Sequence, residues 1–275
     1  MTEPPEWGGG RADGAALPFL LSAFDCLDST NDEARRRAEA GAAAGTVVWA
    51  GRQLAGRGRR GRSWSSPEGN LYCSLVLRPA CPPALAAQLS LVTAVAVGAA
   101  VVGCLPPERV TRLKWPNDIL IDGCKVAGIL LETGADAEGR VTWLVVGVGI
   151  NVRHFPADAG YPATSLLEAG LAGEGEVEVV LKSFLDQFGR WYRVWRDVGL
   201  EPVRAAWLAR AAGLGTPISV RLHQETVSGR FAGLDLDGAL LLASGEGGQV
   251  VRVTAGDVFF PGGVGGPATL SPLHP

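Results

Sequence analysis

The chain has 275 residues, 47% of them hydrophobic and 19% charged, which allows one large domain with a small companion and excludes a disordered protein. Its net charge of −3 argues against a general nucleic-acid binder, which carries a basic domain. Five cysteines without a CxxC pair and three scattered histidines suggest neither a disulfide framework nor a zinc site.

Residues 1–18 are rich in Gly, Pro and Ala and lack the basic start and apolar core of a signal peptide, so a disordered tail and a cytoplasmic protein are expected. Asp28-Ser29-Thr30-Asn31 then reads as a helix start, with Thr30 and Glu33 as a capping box and the helix stopping near Gly41. TVVWAG (46–51) reads as a strand that leads into a loop with Arg52, Arg57, Arg59, Arg60 and Arg62 and no acid. Pro67, Gly69 and Asn70 mark a turn before a second strand, LYCSLVL (71–77).

No charged residue falls between Pro79 and Pro107. Within it, residues 84–105 are long enough to span a bilayer. The segment is rich in Ala and Val and carries Gln88, Ser90 and Thr93, so a buried core helix over 84–104 fits it better. DILI, Asp122-Gly123 and CKVAGILLE read as a hairpin, because both positions of its two-residue turn favour positive φ. VTWLVVGVGI (141–150) reads as a buried strand, and 153–173 as loop.

Val177, Val180, Leu181, Phe184, Leu185, Phe188, Trp191 and Trp195 share one helical face, so a helix is expected over 177–195, with a shorter one over 201–212. From Thr216 the pattern changes to short strands, ISVRL, GRFAGLDL, ALLLAS and QVVRV, with turns at Asp237-Gly238 and Gly245–Gly248. Strands and helices without strict βαβ alternation predict an α+β large domain over 19–212. A small β domain is expected over 213–261, and a disordered tail over 262–275.

The arginine loop contains G-x-G-x-x-G at Gly56, Gly58 and Gly61 and nearly matches a P-loop. Both phosphate motifs need a helix directly after the glycines, whereas SWSSPEGN here is turn chemistry leading to a strand. No acid lies about 20 residues on for a ribose contact. A flexible solvated loop and a single-stranded nucleic-acid clamp using Trp64 stay open on composition alone. A small, multiply charged anion would explain why mutually repelling arginines alternate with glycines. Lys114-Trp115-Pro116-Asn117-Asp118, Lys125 in an apolar strand, and Gly147-x-Gly149-Ile150-Asn151 could each be ordinary turn, strand-end or packing features, or parts of one site.

Together, DSTN (28–31), QLAGRGRRGRSW (53–64), NLYCSL (70–75), KWPNDILIDGCKVAGILLE (114–132) and GVGIN (147–151) closely resemble the biotin protein ligases, in family order. The resemblance implies a mixed-sheet catalytic domain of the biotin/lipoate ligase type with a small SH3-like C-terminal β-barrel. It implies a two-step reaction: biotin and Mg-ATP give biotinyl-5′-AMP and pyrophosphate, and a lysine of a biotin carboxyl carrier domain, as in acetyl-CoA carboxylase, then takes the biotin. Carried over motif by motif, Lys125 and Arg59 are catalytic. Ser29, Thr30, Asn31, Gln53, Arg57, Gly58, Arg59 and Lys125 hold biotin. Arg57, Arg60, Arg62, Trp64, Lys114, Asn117, Gly149 and Asn151 lie on the ATP side, with Asp118 near Mg²⁺. The glycine-arginine loop would fold over the water-sensitive adenylate. Only 27 residues precede DSTN, so a ligase without operator binding is expected. The segments flanking 84–105 must meet in one site, which argues against a membrane span. A homodimer is compatible with the resemblance, and a lipoate or octanoate ligase of the same fold is the alternative.

Overall fold

Two sheets organise the chain. The computed structural model describes residues 17–171, 177–244 and 249–261. The expected tails fall outside these residues, apart from Leu17 and Pro18, as does the turn at 245–248. The larger sheet contains β1 (Leu20–Leu27), β2 (Thr46–Gln53), β3 (Leu71–Leu77), β4 (Thr111–Lys114), β5 (Asp118–Ile121), β6 (Cys124–Ala135) and β7 (Val141–Ile150). Its order is β1-β2-β3-β7-β6-β5-β4. β1 and β2 run parallel and the other neighbours antiparallel, which makes the sheet mixed.

Helix α1 (Thr30–Glu39) covers one face through Ala34 and Ala38, which pack on Val48, Val76 and Val145. Helices α2 (Pro83–Ala87), α3 (Leu89–Gly103), α4 (Val177–Val198) and α5 (Glu201–Leu208) belong to the main core on the other. β3 lies between the two layers and is buried at every residue, hence its unbroken apolar run. The expected hairpin is present: Asp122 (φ 48°) and Gly123 (φ 84°) both take positive φ and pair Ile121 with Cys124.

The apolar segment at 84–104 is two helices that meet at Gln88. Pro83–Gly103 is long and apolar enough to cross a membrane, but it is mostly buried inside the protein. Its polar side chains find internal partners. Gln88 Oε1 accepts from Trp195 Nε1 at 2.8 Å, Ser90 donates to Pro116 O at 3.1 Å, and Thr93 donates to Leu89 O at 2.6 Å. Helix α5 stops at Leu208, short of the expected 212, because Leu113 in β4 takes the backbone that follows. Leu113 N donates to Arg210 O, and Ala212 N donates to Leu113 O.

The smaller sheet is antiparallel: β8 (Pro217–Arg221), β9 (Thr226–Leu234), β10 (Leu240–Ser244), β11 (Gln249–Val253) and β12 (Asp257–Phe259), in the order β11-β10-β9-β8-β12. It docks through Trp207 of α5, which is fully buried and meets Phe231 of β9 edge-on at 6.4 Å.

The expected capping box is absent. Ser29 is the N-cap and makes no side-chain cap bond, and Glu33 turns to Arg36 and Arg37. Gln53 Oε1, from the neighbouring strand, accepts from Thr30 N at 2.8 Å instead. A tertiary contact thus satisfies the helix end that local sequence would have satisfied by itself.

Candidate active site

A cavity of about 860 Å³ opens where the ends of β2, β3, β5, β6 and β7 meet the smaller sheet. Fifteen of the expected residues line it: Ser29, Thr30, Asn31, Gln53, Arg57, Gly58, Arg59, Arg62, Trp64, Lys114, Asn117, Asp118, Lys125, Gly149 and Asn151. Arg60 stands outside it, with its guanidinium turned 3.2 Å from Asp257.

One end has a polar floor. Ser74 is fully buried, and its Oγ lies 2.6 Å from Asn31 Oδ1 and 2.9 Å from Thr30 Oγ1. Asn31 Nδ2 donates to Glu132 at 2.7 Å, Thr30 Oγ1 donates to Gln53 Oε1 at 3.1 Å, and Gln53 Nε2 donates to Ser66 Oγ at 2.9 Å. These groups are held in fixed orientations before any ligand enters, and a satisfied buried network resists rearrangement. A Cβ at Gly147 would collide with the Asn31 amide, so this glycine admits the side chain of α1.

The glycines of β6 and β7 make room for an aromatic ring of the chain itself. A Cβ at Gly149 would lie 2.6 Å from Trp64 Nε1, and one at Gly128 would lie 3.0 Å from Trp64 Cζ3. Lys125 stands over this ring at 5.3 Å, with Tyr161 at 5.2 Å, and its Nζ lies 2.6 Å from Asp118 Oδ1. The ammonium is thus fixed by a carboxylate and two aromatic rings inside the cavity. Asn117 carries two contacts, donating to Ile129 O at 2.7 Å and accepting from Arg59 Nη1 at 3.1 Å. Asn151 acts as a strut, donating to Thr164 O at 3.0 Å.

The arginine loop has partners far away in sequence. Arg57 lies 2.8 Å from Asp32 and 3.0 Å from Glu132. Arg59, Arg60 and Arg62 converge on Asp257 of the smaller sheet, at 3.6, 3.2 and 3.0 Å. Arg60 (φ 55°) and Gly61 (φ 72°) form the left-handed turn that brings them there. Burial pulls the Arg59 pKa down, opposed by the Asp257 charge. Three cations on one carboxylate leave the loop with excess positive charge above the cavity.

Ser66, Ser74, Glu132, Tyr161, Arg221 and Asp257 belong to this site and were not expected from sequence. Ser74 sits in LYCSLVL, whose buried serine was the available signal. Asp257 lies in AGDVFF, with nothing local to mark it.

Lys114 lines the same cavity and faces the Phe259 and Phe260 rings at 5.9 and 5.8 Å. Its pKa is lowered, chiefly by burial, with Lys125 and Arg62 adding to the effect. No cluster of three or more His, Cys, Asp or Glu able to hold a metal occurs among the described residues.

Residues 61–209 match the biotin/lipoate A/B protein ligase family, and residues 213–260 match the biotin protein ligase C terminal domain. The chain is 43% identical to a biotin–[acetyl-CoA-carboxylase] ligase from Paracoccus denitrificans, over 86% of this chain and 98% of that protein. It is 39% identical to a bifunctional ligase/repressor from Bacillus subtilis, over 85% of this chain and 72% of the relative. The fold superposes on the biotin protein ligase from Aquifex aeolicus in complex with biotin and ATP with a TM-score of 0.74 at 30% identity, covering 87% of this chain and 97% of that one.

Proposed function

Since the chain belongs to the biotin/lipoate A/B protein ligase family and its relatives are biotin protein ligases, we propose that this cavity joins biotin to ATP and then to a carrier-protein lysine. The carrying observation is the convergence of five sequence-distant polar segments on one cavity around the fixed Lys125 ammonium.

The polar floor of Thr30, Asn31 and Gln53, with Ser29 beside it, receives the ureido ring of biotin. The biotin carboxylate and the ATP α-phosphate, both anions, meet beside Lys125. A carboxylate oxygen attacks the α-phosphorus, the bond from that phosphorus to the α,β-bridging oxygen breaks, and pyrophosphate leaves with the electron pair. Lys125 and Arg59 stabilise the charge that builds on the phosphoryl oxygens. The carrier lysine, as a free amine, then attacks the acyl carbon. AMP departs as the C–O bond of the mixed anhydride breaks, and the amine gives up a proton. The loop that carries Arg57, Gly58, Arg60 and Arg62 shields the adenylate from water.

Gly149 and Trp64 form the adenylate wall, with Lys114, Asn117 and Asn151 on the same side. Mg²⁺ fits as an ion brought in by the ATP phosphates, because magnesium commonly uses one or two protein carboxylates and substrate oxygens. Asp118 would hold it through the oxygen that Lys125 does not take. When bound, the ion neutralises phosphate charge.

We assign catalysis to residues 19–212 and a supporting role to 213–261. All five cysteines are free, which suits a reducing cytoplasm. A homodimer through a sheet edge belongs to the same reading, and sedimentation tests it. The whole proposal is tested by incubating a carrier domain with biotin, Mg-ATP and the protein. Mass spectrometry should find biotin on one carrier lysine, and labelling with lipoate but not biotin would overturn the proposal.

A further inference from the structure

Lys125 is held by its main chain as well as by its ammonium. Strand β7 ends at Ile150, opposite Ala127 of β6, so it stops short of Lys125. A returning segment replaces it. Lys125 N donates to Pro162 O at 2.9 Å, and Thr164 N donates to Lys125 O at 3.0 Å, a parallel bridge centred on Ala163. The chain leaves the sheet at Asn151 and comes back at Pro162, and Tyr161 is the last residue of that excursion. Its ring lies 5.2 Å from Lys125 Nζ.

Residues 151–161 form no helix or strand, and among the described residues no hydrogen bond is made by 155–161. Their position is therefore set at the two ends. Asn151 closes the neck, because its Nδ2 donates to Thr164 O at 3.0 Å. Asn70 holds the root. Its Oδ1 accepts from the backbone N–H groups of Val152, Arg153 and His154 at 2.9, 2.9 and 3.0 Å, and its Nδ2 donates to His154 O at 2.8 Å. One side chain thus satisfies four consecutive backbone groups, which no other feature of this irregular segment does. Asn70 is buried, with 2% exposure, and does not line the cavity. It also ends the turn that returns the chain from Trp64, the other ring on Lys125, to β3.

We propose that Asn70 is a positioning residue for the adenylation step. It anchors the excursion that lays the Tyr161 ring on the Lys125 ammonium and the 162–164 backbone along the Lys125 main chain. The inference rests on the proposed adenylation. A cation that acts on a transition state loses effect when its support shifts, although the substrates still bind.

The test is steady-state adenylate formation by the whole protein for the wild type, Asn70→Ala, Asn70→Asp, Tyr161→Ala, Tyr161→Phe and the Asn70→Ala/Tyr161→Ala pair. Asn70→Ala should lower kcat about tenfold and change the KM for biotin and for ATP less than about threefold. Asn70→Asp keeps the oxygen that takes three N–H groups and should recover part of the loss. Tyr161→Phe keeps the ring and should stay within about twofold of the wild type, whereas Tyr161→Ala should lose about as much as Asn70→Ala. The pair should fall at most about twofold further, because Asn70 acts through Tyr161; losses that multiply to about a hundredfold would overturn the proposal. So would a normal kcat in Asn70→Ala, or a loss confined to KM. Tyr161 is 43% exposed, so its variants keep the test open if Asn70→Ala folds poorly. Hydrogen exchange needs no turnover: the amides of 152–154, Lys125 and Thr164 should exchange faster in Asn70→Asp or Asn70→Ala, while those of β3 hold. Unchanged exchange at Lys125 and Thr164 in both variants would overturn the anchor. If the wild type makes no biotinyl-5′-AMP but the exchange result holds, the ligase reading fails and the anchor stands.

Discussion

Lys125 Nζ lies 2.6 Å from Asp118 Oδ1, with the Trp64 and Tyr161 rings 5.3 and 5.2 Å from the ammonium. A lysine on a flexible four-carbon stem is thereby restricted to one place in the cavity. This is what a point charge needs if it is to act on a transition state without first being ordered. Replacing Lys125 with Ala should lower adenylate formation by about 10²–10³-fold and leave the far-UV circular dichroism unchanged. Pyrophosphate release measured in single turnover checks it, and near-normal rates would remove Lys125 from the chemistry.

Asp257 holds three loop arginines, so Asp257→Ala should free the loop. Limited trypsin digestion should then cut within 56–62 about ten times faster than in the wild type, since cleavage follows the population of open loop. Equal cleavage rates would mean that glycine geometry alone orders the loop.

Ser74 is fully buried and touches both Thr30 and Asn31. Ser74→Ala leaves at least one acceptor short of a donor, at a cost of roughly 1–2 kcal/mol to the order of that floor. The expected result is a KM for biotin raised about tenfold with a smaller change in kcat. The buried position makes thermal unfolding a necessary control.

A Cβ at Gly149 would press into Trp64 at 2.6 Å, and Lys125 Nζ lies 5.3 Å from the centre of the same ring. Gly149→Ala should displace the indole, alter tryptophan fluorescence, and cost about 1–3 kcal/mol through overpacking. Denaturant unfolding measures that cost, and an unchanged midpoint would show that the ring moves freely.

The pH dependence of Lys114 has two opposite signs. Its folded pKa is lowered from 10.5, chiefly by burial, so the fold binds fewer protons here than the unfolded chain does. Stability therefore rises as pH climbs from the folded pKa toward 10.5. Anion binding needs the cation and should fall over the same window. Pyrophosphate titrations from neutral pH upward check this, and Lys114→Met should bind weakly with a flatter profile.

Several features were legible because they are local. The Asp122-Gly123 turn needs two positive φ values and declares itself in two letters. The face of α4 repeats at helical spacing through Phe184 and Phe188, and both are fully buried. β1, β4 and β12 went unread. LLSAFDCL is a sheet-edge strand with no fully buried position, TRLK has four residues, and DVF has three. The capping box failed because Gln53, brought close by the β1–β2 pairing, outcompetes the local side chain. Asp257 was invisible for a similar reason: its partner Arg62 stands 195 positions earlier. An acid that balances a distant charge leaves no periodicity or spacing to read.

The shared carboxylate of Asp257 ties occupancy of the cavity to the joint between the two sheets. An anion drawn to Arg59 or Arg62 competes with Asp257, so it loosens an interdomain contact as it binds. By reciprocity, whatever tightens that contact weakens the anion by the same factor. Mechanical or chemical events at the smaller sheet can therefore be read in the affinity for nucleotide. A protein that docks there would act as a heterotropic effector without touching the reacting atoms.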